Sequence, residues 1–154
     1  MIVRVAFALC VLASIGACES PVCNVEEIAD KTPQEVVNIL GEPDTAYTQV
    51  IVTKPIFTQI YKREFDIEIM YPDGLSTDIV VFDAAPKLPF EAGIIEKFGL
   101  QQIPPSDVVA NTYIKWKNYP GYKTINFFVT DLDSAGNVEQ FRLFFKSDGV
   151  PNKQ

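Results

Sequence analysis

Histidine is absent from all 154 residues. The absence removes the commonest general base and the commonest transition-metal ligand together. It excludes a histidine-based catalytic triad outright. Cysteine is scarce, with three residues, one of them (Cys10) in an N-terminal leader. Too few sulfur ligands remain for a zinc site. Positive charge is also short, with 13 basic against 20 acidic side chains and a net charge of −7. Nucleic acid binding needs clustered Lys and Arg to neutralise phosphate, and this balance argues against it. It argues equally against electrostatic attraction to anionic lipid. No glycine-rich phosphate loop is present. Aromatics are not short: they make up 12% of the chain, enough for a packed interior and against wholesale disorder.

The first eighteen residues carry an address. Arg4 is followed by an apolar stretch from Val5 to Ile15, then by Gly16, Ala17 and Cys18. A stretch of eleven residues, apolar but for Ser14, suits the core of an export signal and is too short to cross a bilayer of about 30 Å as a helix. Small side chains at Gly16 and Ala17 let the backbone enter a peptidase cleft, and Cys18 supplies a thiol for acylation. The segment resembles a lipobox, with Ile15 where Leu is usual. It implies a signal peptide over residues 1–17 and a lipidated tether over 18–25. The expected product is a palmitate-bearing lipoprotein held to the membrane of the cell envelope through Cys18. Glu19, where an Asp would favour inner-membrane retention, points to the periplasmic face of the outer membrane. Two alternatives stay open. Cleavage after Gly16 or Ala17 without acylation leaves a soluble protein in which Cys18 and Cys23 pair. No cleavage leaves an N-terminal anchor. If Cys18 is acylated, Cys23 is expected as a lone thiol in the tether.

Met1 to Ala17 holds one charged side chain, Arg4, so the remaining 137 residues carry 12 basic and 20 acidic groups, net −8. That length suits one domain or two small repeats sharing a core. Residues Val25 to Ala29 read as a helical turn. A helix then follows from Thr32, a good N-cap, with Pro33 at the first helical position and Glu35 completing a capping box. Gly41 and Pro43 end it. Tyr47–Val52 and Phe57–Arg63 are strand-like and broken by Lys54-Pro55. Phe65–Tyr71 alternates with period two, Pro72-Asp73-Gly74 is a turn, and Ser76–Phe82 returns. Phe90–Gly99 reads as a second short helix closed by Gly, 58 residues after the first stop at Gly41. Asn111–Lys117, Tyr122–Val129 and Val138–Lys146 read as further strands. The expectation is an α+β fold: two small helix-plus-antiparallel-sheet units in tandem, at 26–84 and 90–148 with a linker at 85–89, or one irregular α+β domain.

The stretch KTPQEVVNILGEPD (Lys31 to Asp44), followed by an alternating strand, a Gly turn and another strand (Asp66 to Phe82), resembles the BamE/SmpA/OmlA-like lipoproteins. These share a lipobox, a Thr-x-x-Glu-Val helix start, a Leu-Gly-x-Pro helix end and a closing hairpin. The tandem arrangement is similar in architecture to the beta-lactamase inhibitor protein. The resemblance implies a non-enzymatic envelope role, as a scaffold or a protein-binding inhibitor. It transfers no functional residues beyond the fold elements.

Tests for chemistry mostly fail. DLDSAGN (Asp131 to Asn137) has Gly136 at the sixth position of a calcium loop. Its fifth position is Ala135 and its twelfth is Arg142, and the flanks are strands, so a β-turn is the better reading. Asp66 and Glu68 share one strand face and do not span a cleft as paired glycosidase acids do. Ser134 and Ser147 have no histidine to activate them. No cofactor and no metal is called for, and the chain is not expected to be an enzyme. The strongest binding feature is aromatic: Tyr113, Trp116, Tyr119 and Tyr122, interleaved with Lys115, Lys117 and Lys123 around Pro120-Gly121. Facing solvent, this hairpin would be a protein-binding surface. Alternating its faces, it would bury the aromatics and leave the lysines in water. The functional expectation is a lipid-anchored protein-binding or scaffold module with an unidentified envelope partner, using the sheet face or this hairpin. The alternative is a soluble periplasmic or secreted inhibitor or ligand-binding protein.

Overall fold

The computed structural model describes residues 23–82, 90–110, 112–132 and 138–147. The expected leader, Cys18, the expected linker at 85–89 and most of the DLDSAGN loop lie outside the described residues. Two short helices come first, α1 (Val25–Ile28) and α2 (Pro33–Leu40). Four strands follow: β1 (Thr45–Ile51), β2 (Lys54–Lys62), β3 (Asp66–Tyr71) and β4 (Asp78–Phe82). After a 3-10 helix at Ala92–Phe98 come β5 (Asp107–Val109), β6 (Tyr113–Tyr119), β7 (Tyr122–Leu132) and β8 (Val138–Ser147).

All eight strands form one antiparallel sheet in the order β1-β2-β3-β4-β8-β7-β6-β5. This corrects the expected α+β architecture of tandem helix-plus-sheet units or one irregular α+β domain. The helices are four, eight and seven residues long, too short to make a layer. The two meanders do not stand apart: β4 and β8 pair from Asp78↔Lys146 to Phe82↔Arg142. The physical reason is in the composition of those strands. DIVVF and FRLFF are apolar on both faces, as strands buried in the middle of a sheet are.

One face of the sheet carries the core. Tyr61, Ile67, Val81, Leu143, Phe127 and Ile114 lie opposite one another in a row across six strands. Gln59, Ile69, Ile79, Phe145, Ile125 and Trp116 form the next row. Val25, Ile28, Val36, Ile94, Ile95 and Phe98 of the helices join the same cluster. Phe98 touches both Phe65 and Phe145, with centroids 6.0 and 5.7 Å apart, so residues of both meanders meet on one ring. The buried Gln59 is held by two core phenols, Tyr61 Oη and Tyr71 Oη, which both donate to its Oε1. A polar group this deep is tolerated because it is partnered.

The helix ends follow local rules. Thr32 and Glu35 close a capping box on α2, with Glu35 N donating to Thr32 Oγ1 and Thr32 N to the Glu35 carboxylate at 2.8 Å. The Phe90–Gly99 segment, expected as an ordinary helix, is 3-10 instead. Its buried Ile95 and Phe98 are three apart, which suits three residues per turn. Gly99 closes it at φ 81°, where a Cβ would meet Asn24 Oδ1 at 2.5 Å. Only glycine lets the end of this helix lie against the cap of α1.

The β1–β2 connection differs from expectation as well. Lys54-Pro55 is not a break but the start of β2, paired with Ile51 and Val50. Pro55 is tolerated because β3 ends at Tyr71 opposite Phe57, leaving β2 unpaired on that side from Lys54 to Ile56. The two-residue turn is Val52-Thr53, with φ of 45° and 71°. Both are β-branched residues in the left-handed region, where Asn-Gly is at ease. Replacing the pair, Val52→Asn with Thr53→Gly, is expected to stabilise the fold by about 1–3 kcal/mol. Urea unfolding would check it, and an unchanged or lower midpoint would contradict the strain.

Candidate functional site

The second face of the sheet carries no residue of the core cluster. Its central rows read Ile60, Glu68, Val80, Phe144, Asn126, Lys115 and then Lys62, Asp66, Phe82, Arg142, Phe128, Tyr113. A third row reads Thr58, Met70, Asp78, Lys146, Thr124, Lys117. Period-two alternation in ordinary surface strands would make this face polar. Here it is apolar at its centre. Met70, Val80, Phe82, Phe128 and Phe144, with Glu68 and Arg142, line a cleft of about 380 Å³ that straddles the β4–β8 seam.

Burial shows that this face is recessed. Val80 is 8% exposed yet stands outside the core cluster. Thr58, Asp78 and Asn126 are buried on the same side. At the other extreme, Phe128 is 43% exposed, a large aromatic offered to solvent at the rim. The polar groups around the cleft are held in place. Tyr47 Oη donates to Glu68 Oε1 at 3.2 Å across β2, and desolvation, then the Glu68 carboxylate, push the Tyr47 phenol up. Lys146 Nζ lies 2.8 Å from Asp78 Oδ1. Tyr113 Oη donates to Asp107 Oδ2 at 2.6 Å, and its ring sits 6.1 Å from Phe128. Arg142 has no ion-pair partner among the described residues. The lining is an apolar floor with one carboxylate, Glu68, and one guanidinium, Arg142. No group of three or more His, Cys, Asp or Glu able to hold a metal occurs among the described residues.

The sequence-predicted hairpin is placed differently. Trp116, Tyr119 and Tyr122 are all buried in the core, so the expected aromatic protein-binding surface is corrected. Trp116 Nε1 donates to Ile103 O at 3.0 Å, and Tyr119 Oη donates to Gln101 O at 2.9 Å. Trp116 and Tyr119 are three apart and would face opposite ways in a regular strand. Asn118, at φ 54°, shifts the phase so that both turn inward. A register shift between Tyr122 and Thr124 does the same in β7. Of the four aromatics only Tyr113 is half-buried and borders the open cleft. Cys18 lies outside the described residues.

The cleft residues carried a legible signal that the alternation argument passes over. Ile79-Val80-Val81-Phe82, Phe127-Phe128-Val129 and Leu143-Phe144-Phe145 are unbroken apolar runs inside strands. With one face given to the core, such runs leave apolar groups on the other face.

A second, smaller cleft of about 320 Å³ lies between α1 and the β6–β7 turn, lined by Glu26, Ala29, Asp30, Pro120, Gly121 and Tyr122. Near it Cys23 is buried, not exposed in a tether as expected, and the thiol is pushed up to about 12 by desolvation and then by Glu27.

No protein-family model matches the chain, and no curated protein matches it. Among solved structures, a cysteine-rich secretory protein from Staphylococcus aureus subsp. aureus Mu50 overlaps at 12% identity with a TM-score of 0.39. The overlap covers 88% of this chain and 54% of that one, so the chain spans about half the neighbour's length. A likeness of this degree carries no argument about function.

The Cys23 environment makes a direct prediction. Its folded pKa is above the ordinary thiol value of 9.0. The stabilising contribution is therefore complete below about pH 9 and is lost as the pH climbs toward 12. Alkylation at pH 8 is expected to be slow in the folded chain and fast in urea. Equal rates in both states would contradict the burial.

Proposed function

We propose that this protein is a lipid-anchored cell-envelope protein that binds another protein through the open face of its sheet. Acyl chains on Cys18 hold it at the membrane, with the periplasmic face of the outer membrane as its site. The observation that supports the reading is the 380 Å³ apolar cleft across the β4–β8 seam. An exposed aromatic beside the buried Val80, with charged groups at its margins, has the make-up of an interface centre: Phe128 and Phe144 offer area, while Arg142 and the Tyr47-held Glu68 offer orientation. The leader and the Ile15-Gly16-Ala17-Cys18 junction support the anchor. No step of the reading uses catalysis.

Two measurements test the two halves separately. Mass spectrometry of the mature N-terminus is expected to show an acylated Cys18. A bare N-terminal residue would defeat the anchor and leave the soluble secreted or periplasmic binding protein. For the cleft, a photo-crosslinker at Phe128 in the full chain is expected to give one discrete protein adduct in the native envelope. Phe144→Glu should weaken that adduct at least about tenfold while the chain still unfolds cooperatively, because Phe144 lies outside the core cluster. An adduct unaffected by Phe144→Glu would remove the cleft as the contact.

A further inference from the structure

The two edges of the sheet are treated unlike each other. At one edge β5 is three residues long (Asp107-Val108-Val109), carries a charge, and follows Pro104-Pro105. These are the standard means of blunting an edge against further pairing. At the other edge β1 runs seven residues, Thr45-Ala46-Tyr47-Thr48-Gln49-Val50-Ile51, with no charge, no proline and no glycine. Six of the seven are exposed, and Val50 is 72% exposed. Its composition is strongly β-forming. Its register with β2 is unbroken from Thr45↔Ile60 to Ile51↔Lys54, so no bulge twists the edge away. Among the described residues no other element covers it. An acidic chain that keeps its 20 carboxylates and 13 cations out of this one strand presents an edge free of self-repulsion.

We propose that β1 pairs antiparallel with β1 of a second copy of this chain, centred on Thr48, giving a two-fold dimer with a continuous sheet. The sequence of β1 is self-complementary about that point. Thr45 would face Ile51 of the second copy, Ala46 would face Val50, Tyr47 would face Gln49, and Thr48 would face Thr48. Each pairing matches small with large or polar with polar, and the central Thr–Thr pair is favourable in sheets. An interface related by a two-fold axis requires this kind of self-match. Pairing satisfies the backbone groups of the edge and covers Val50 against Ala46. The contact is smaller than the ~800 Å² per partner of a standard interface, so the dimer is reversible. Tyr47, which holds Glu68 at the cleft rim, is the one link to the open cleft; the cleft floor and the N-terminal anchor take no part, and the inference stands or falls apart from them.

Sedimentation of the full chain in detergent, read as protein mass, is expected to show a concentration-dependent monomer–dimer equilibrium. Thr48→Lys and Thr48→Glu each put like charges directly opposite at the two-fold axis. Each should weaken association by about tenfold or more. An equimolar mixture of the two should restore the dimer, because Lys then faces Glu. Val108→Lys at the β5 edge should behave as wild type. A Thr48→Cys chain should crosslink to itself under mild oxidation, since opposed residues bring Cβ atoms within about 5 Å, and a Val108→Cys chain should not. A wild-type chain that stays monomeric would overturn the proposal. So would single charge variants that dimerise unimpaired, or a mixture no better than its components.

Discussion

The pairing of β4 with β8 is the contact on which the rest of the molecule depends. Five residues from each strand join the last strand of one meander to the last strand of the other. Without that seam each meander would have one more open edge and half a core. With it, the row from Tyr61 to Ile114 runs unbroken across six strands, and Phe98 can rest on Phe65 and Phe145 at once. The seam is also the most non-local pairing in the sheet, since it closes a loop of about sixty residues between β4 and β8. Loop-closure entropy of that kind is offset only when a large apolar area is buried with it. The doubly apolar sequences of β4 and β8 supply that area.

The same seam makes the candidate site. Strands in the middle of a sheet have apolar residues on both sides, and the helices among the described residues are too few and too short to cover both. They cover the side of Ile79, Val81, Leu143 and Phe145. The other side keeps Val80, Phe82, Phe144 and Phe128 as the floor and rim of an open cleft. Fold and site are thus two consequences of one composition. Of the polar contacts that fix the rim, Lys146–Asp78 spans the seam itself, while Tyr47 reaches Glu68 from β1 and Asp107 holds Tyr113 from β5.

The aromatic hairpin shows how a local irregularity can defeat a pattern argument. Trp116 and Tyr119 fall on opposite faces by counting alone. Asn118 in the left-handed region resets the count, and both rings enter the core with their polar ends on Ile103 O and Gln101 O. The lysines between them stay near water. The cost of burying a tyrosine or tryptophan is small when its one polar atom is satisfied.

From sequence alone, the punctuation was readable. The capping box at Thr32 and Glu35, the glycine stops at 41 and 99, the turn at Pro72-Asp73-Gly74 and most strand positions follow from φ preferences and hydrogen-bonding groups within a few residues. The absence of histidine is likewise a property of composition. Which strand lies beside which was not readable, and so neither was the merging of two meanders into one sheet, nor which alternate residues face the helices. Those are decided by how much apolar area two distant strands bury against each other. Period-two patterning is the same for a strand in its own small unit and one in the middle of a shared sheet. Only the pairing of β4 with β8 makes the difference.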